Sequence, residues 1–181
     1  MSSEQLVRYC APTLAGIKTG SLYSLRGINR SELIRDLSSL NRFLRKKGAR
    51  IIMLRQRGEY SLIYLYRPDM LKRDLNDPQA KRLLRSLGYP RGSIEESVSE
   101  LASRLRSGGT FPHEIGLFLG YPPSDVQGFI NDPHGGYVLS GYWKVYSDED
   151  KARAIFRRYK RCTLEYQQML MSGRTLEQLV V

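Results

Sequence analysis

The stretch "ARIIMLRQRGEYSLIYLYRP", residues 49–68, decides the fold class. Two runs rich in β-branched and aromatic side chains, 50–55 and 60–66, flank a turn containing Gly58, and Pro68 closes the second run. That is the pattern of a β-hairpin. Upstream, "NRSELIRDLSSLNRFLRKKG" (29–48) reads as a helix, with Asn29 or Ser31 as cap, Gly48 as terminator and Leu33, Ile34, Leu37, Leu40 and Leu44 as its apolar stripe. Downstream, "PDMLKRDLN", "DPQAKRLLRSLG" and "SIEESVSELASRLRSGG" read as three more helices, the last capped by Ser93.

Farther out, residues 3–9 suit a short helix, and a second helix is expected to open at Pro12 and run to about Ile17. "SDED" starts a long helix, with Ser147 as expected cap and Ile155, Tyr159, Cys162, Tyr166 and Met169 as its buried stripe. "YVLSGYWKVY" reads as a third strand, near 138–146, laid beside the hairpin. Residues 174–181 read as a possible tail, with "TLEQLVV" as a short helix or a frayed end. The expected architecture is one α+β domain over 1–181, mostly helical, with a small antiparallel sheet.

Composition narrows the function classes. Apolar residues make up 41%, enough for a real core, and no apolar run approaches the ~20 residues a membrane helix needs, so no membrane partner is expected. No basic-then-apolar leader opens the chain, which points to a cytoplasmic protein whose Cys10 and Cys162 are thiols. The net charge of +11 is uneven: residues 1–74 hold 15 Lys and Arg against 6 Asp and Glu, 75–150 hold 7 against 10, and 151–181 hold 7 against 2. Such a balance suits solvated helix faces, or an anionic partner such as nucleic acid or a small anionic ligand.

"FPHEIGLFLGYPPSDVQGFIND" (111–132) has the spacing of a helix-turn-helix. Its chemistry does not suit DNA, because no Lys or Arg occurs from Ser107 through Trp143 and Asp125 would meet phosphates. The stretch therefore reads as a packing hairpin. Gly128 in its second helix implies close approach to another element. Nucleic-acid binding through the basic helices, Arg42–Lys47 and Arg153–Arg161, is the alternative function.

Three motifs, "YCAPTLAGIKTGSLYSL", "FPHEIGLFLGYPPSDVQGFI" and "GYWKVYSDEDKARAIFRRYKRC", occur in this order. Together they resemble a family of uncharacterised proteins from clostridia-like anaerobic bacteria, a domain of unknown function, with Tyr23 standing where that family carries Phe. The resemblance spans nearly the whole chain. It implies a cytosolic bacterial protein and brings no activity, cofactor or catalytic residue.

The residues themselves offer candidates. Cys10, ahead of an expected helix start and near Lys18, is a candidate nucleophile or ligand. Cys162 reads as core. His113 is a candidate base or co-ligand with Glu114 to orient it, and a Cys10–His113 pair suits thiol-dependent redox or transfer chemistry, or iron or haem ligation. Thr13, Lys18, Tyr121, Tyr142 and Lys144 complete a candidate ligand-binding set, with Lys18 or Lys144 as the anion contact. No cofactor and no particular metal is implied. There is no Walker A loop, Rossmann fingerprint, HExxH, CxxC or G-x-S-x-G elbow. A scaffold role through tyrosine-rich surface is a third reading.

Overall fold

The computed structural model describes residues 1–181. It is an α+β fold with a small antiparallel sheet, as the sequence implies. The hairpin is present as β2 (Arg50–Arg57) and β3 (Tyr60–Tyr66), turning through Gly58 at φ +55°. The third strand is β1 (Gly20–Arg26), on the other side of β3, so the order is β1-β3-β2. Its register runs from Gly20 opposite Tyr66 to Arg26 opposite Tyr60.

β3 is central and buried on both faces. Leu62, Tyr64 and Tyr66 enter one core, with Leu54 from a bulge in β2; Ile63 and Leu65 enter the other. Helices cover each face, which is why β3 is a continuous apolar run. Against the Ile63 face pack α1 (Ser3–Leu14), α2 (Arg30–Leu44), α8 (Glu149–Met171) and α9 (Leu176–Leu179). Against the Tyr64 face pack α3 (Pro68–Leu75), α4 (Pro78–Ser86), α5 (Ile94–Arg106), α6 (Ile115–Phe118) and α7 (Pro123–Asn131). No helix is long and apolar enough to cross a membrane.

Four expectations are corrected. Residues 3–14 form one helix, with Pro12 in its last turn, so Cys10 lies inside a helix and not before one. Residues 138–146 are not a strand of the main sheet. They fold back on themselves as β4 (Leu139–Ser140) and β5 (Lys144–Val145), and the turn passes so close to Phe156 that a Cβ at Gly141 would lie 2.3 Å from its ring. The cap of α8 is Asp148, whose side chain accepts from the Lys151 N–H at 3.0 Å, because Ser147 is engaged elsewhere. Residues 174–181 contain the short helix of the two alternatives, and it is docked, not frayed: Leu176, Leu179 and Val180 are buried in the Ile63-face core.

The end of α1 positions the site. Gly16 takes φ +67°, and the N–H groups of Ile17 and Lys18 both donate to the Pro12 carbonyl, at 2.9 and 3.0 Å. The Arg67 guanidinium then caps the helix, donating to the carbonyls of Thr13 (2.7 Å) and Leu14, and also to that of Val181 (2.7 Å). Helix-end carbonyls are thus satisfied by one side chain, and the following residues, 17–19, are aimed between α3, α6 and α8.

Candidate functional site

Residues 17–19, the inner side of α3, the α6–α7 turn and the first half of α8 enclose a groove of about 590 Å³. Ile17, Tyr121, Trp143, Ile155 and Tyr159 form its apolar side, and Lys18, Arg73, Lys151, Asp74 and Asp77 bring charge of both signs to the rest. At its edge the Thr19 hydroxyl donates to the Asp74 carboxylate. Gly120, at φ +78°, closes tightly over this pair, and a Cβ there would sit 2.7 Å from the Thr19 hydroxyl oxygen.

Lys18 is the charged residue that stands out. The residue is 7% exposed and its ammonium has no hydrogen-bond acceptor or ion-pair partner in the chain, the Nζ tip keeping contact with solvent at the groove. Its Nζ lies 5.5 Å from the centroid of the Tyr121 ring. Burial pulls the Lys18 ammonium down to about 8 against a weaker opposing pull from Cys10. A largely buried cation with no counterion in the chain carries a desolvation cost, and losing the proton or binding an anion relieves it.

A second cavity, of about 170 Å³, adjoins this groove across Tyr121 and Trp143, which line both and stack at 4.9 Å. It holds His113, Phe129, Val126 and Lys144. The His113 ring lies edge-on to Phe129 at 5.0 Å. Lys144 is already engaged: its Nζ donates to the Pro133 carbonyl at 2.7 Å and sits 4.4 Å above the Tyr137 ring. This chamber suits a small apolar group.

Asp125 fixes the wall between α7 and β5. Its carboxylate accepts from Trp143 Nε1 (2.8 Å), the N–H groups of Tyr146 (2.9 Å) and Ser147 (3.1 Å), and the Ser147 hydroxyl (2.9 Å). Gly128 is the close approach that its sequence position implies, since a Cβ there would lie 2.5 Å from the Tyr146 ring. With Asp125 turned inward and α6 only four residues long, this hairpin packs and presents no recognition helix.

The family described as "protein of unknown function (DUF3793)" matches residues 6–180. The chain belongs to this family. No curated protein and no solved structure matches it. DUF3793 membership leaves activity to be argued from the residues.

The expected site residues fall into separate places. Lys18 and Tyr121 meet in the groove, and His113, Tyr121 and Lys144 meet in the smaller chamber. Cys10 lines neither; it is fully buried among Leu6, Val7, Leu14 and Leu33, and burial pushes its thiol up to about 12 despite Lys18 and Ser21. A thiol held protonated has little nucleophilic character. Thr13 is sealed in the core, its hydroxyl 2.8 Å from that of Ser21. Glu114 does not orient His113: it accepts from the Tyr89 hydroxyl at 2.9 Å and faces Arg104 at 3.7 Å. Tyr142 is outside both cavities, and its carbonyl accepts from the Tyr121 hydroxyl at 3.0 Å.

The basic helices also separate. Arg42, Lys46 and Lys47 share a hollow with Glu177 of α9, while Arg157 and Lys160 flank Tyr142 and Phe156. Arg153 and Arg161 are paired along α8 with Glu149 and Glu165. No group of three or more His, Cys, Asp or Glu side chains is placed to hold a metal ion. Sequence reasoning missed Thr19, Asp74, Tyr159 and Lys151 as groove residues. Nothing local marks Asp74; it meets Thr19 only because α3 packs across a separation of 55 residues.

Proposed function

We propose that this protein binds a small organic anion in the groove, with the Lys18 ammonium as its counter-charge and Tyr121, Trp143 and Tyr159 holding its apolar part. One observation carries the reading: Lys18 is buried, faces an open groove and has no partner. A cleft of several hundred Å³ that sets aromatic side chains beside a few polar groups is the usual make-up of a small-molecule site, and strongly shifted groups in clefts cluster at functional sites. The thiol-dependent and nucleic-acid readings have no comparable observation behind them.

Trp143 is the only tryptophan and lines the groove, so it reports occupancy directly. Titration with benzoate and with inorganic phosphate, followed by Trp143 fluorescence, is expected to give a saturable change that favours benzoate and vanishes in Lys18→Met. Native mass spectrometry of freshly purified protein gives the complementary measurement, a retained anionic molecule. No saturable response to either anion, together with bare protein in the native spectrum, overturns the reading.

A further inference from the structure

We infer that Lys18 is a carbonyl-reactive amine that condenses with a small oxo acid in the groove to form an imine. This rests on the reading of the groove as an anion site and adds the substrate class. The geometry carries it. The amine belongs to a residue 7% exposed, lies 5.5 Å from the Tyr121 ring centroid, has no acceptor in the chain to hold it protonated, and opens onto a groove large enough for a small molecule. Every other lysine is half-buried or exposed. Lys144, the half-buried one, is tied to a carbonyl.

Desolvated lysines with lowered basicity are the ones that form Schiff bases, because the neutral amine is the nucleophile. Lys18 titrates near 8, so at pH 7 its neutral fraction exceeds that of an ordinary lysine by about two orders of magnitude. The Lys18 nitrogen lone pair attacks the carbonyl carbon and forms a carbinolamine. The carbonyl oxygen then leaves as water, carrying the two hydrogens of the amine, and the C=N bond remains. No oxidant or reductant enters. Protonation of the imine restores a positive charge at the same place, where the substrate's carboxylate is attracted, and Lys151 lines the same groove. Tyr159, which also lines the groove, is held protonated to about 12 by burial and is a proton donor for the departing oxygen.

The test uses the full chain, glyoxylate as probe and cyanoborohydride to trap the imine, with peptide mapping by mass spectrometry. Lys18 is expected to acquire a carboxymethyl group at least about tenfold faster than any other lysine, in line with its larger neutral fraction. Its rate rises from pH 6 and levels above about 8. Lys18→Arg keeps the charge, loses the labelling and melts as a folded protein. Labelling that favours exposed lysines and reaches Lys18 last overturns the inference. Two further arms separate it from the reading beneath it. If benzoate binds while glyoxylate leaves Lys18 unmodified, the anion site stands and the imine falls. If acetaldehyde labels Lys18 as fast as glyoxylate and benzoate gives no protection, Lys18 is carbonyl-reactive but the oxo-acid class falls together with the anion site.

Discussion

Asp125 and Lys18 are both buried charged residues, 2% and 7% exposed, placed on opposite sides of the Tyr121–Trp143 wall. Asp125 receives four hydrogen bonds that bind the β4–β5 hairpin to α7. The Lys18 ammonium donates none within the chain. The α7–β5 junction therefore has a charge that the fold has satisfied, and the α1–β1 loop has one that it has not. Full satisfaction marks a charge as structural, whereas a charge kept without partners costs stability and points to a role outside folding.

The largest expected effect is at Asp125. Asp125→Ala leaves the Trp143 indole N–H and two backbone N–H groups without an acceptor, and removal of one member of such a buried network costs roughly 3–5 kcal/mol. Urea unfolding followed by Trp143 fluorescence measures it. A loss below about 1 kcal/mol, the net worth of a single ordinary hydrogen bond, would reduce Asp125 to a peripheral contact. Lys18→Met is expected to act in the opposite sense. Lys18 titrates near 8 in the fold against its ordinary 10.5, so below pH 8 both states are charged and the burial cost is present in full. Between those values the unfolded chain binds more protons, and the cost fades as pH rises. The methionine variant should therefore be more stable than the parent at pH 7 by up to about 3 kcal/mol, with the advantage shrinking from pH 8 to 10.5. A destabilised variant at pH 7 breaks the comparison.

This contrast also separates what was legible in the sequence from what was not. The hairpin was legible because β3 is apolar at nearly every position and Gly58 supplies the turn. β1 was not: of its seven residues only Leu22, Tyr23 and Leu25 are large and apolar, and its extended state comes from pairing with β3. The fold-back at 141–143 depends on Phe156, one helix later, and the shift of the α8 cap to Asp148 depends on Asp125 claiming Ser147. Lys18 and Tyr121 were legible as candidates, Lys18 both as a neighbour of Cys10 and, with Lys144, as an anion contact. That it lacks any partner is a tertiary fact, set by where α3, α6 and α8 leave the groove.

Gly128→Ala probes the junction more gently. The added methyl gains about 1 kcal/mol of helix propensity but meets the Tyr146 ring at 2.5 Å, and overpacking of this kind costs roughly 1–3 kcal/mol. A net loss near 1 kcal/mol is expected, and Gly128→Ala combined with Tyr146→Ala should recover the propensity gain, since the clash is then absent. Additive losses in the double variant would place the strain elsewhere.

Cys10 gives the smallest effect and the sharpest contrast with Lys18, because the two buried groups influence each other's titration. Burial holds the thiol protonated up to about 12, so it stays neutral at every pH where the fold is used. Iodoacetamide at pH 7.5 should leave Cys10 unmodified in the native protein and alkylate it fully in urea. Cys10→Ala removes one buried sulfur from the Leu6–Leu14–Leu33 core, a cost of about 1 kcal/mol, and should leave the benzoate response of Trp143 unchanged. Rapid alkylation of the native thiol would mean that the α1 end opens to solvent. The unpaired Lys18 would then be explained by motion of the loop and not by an absent ligand.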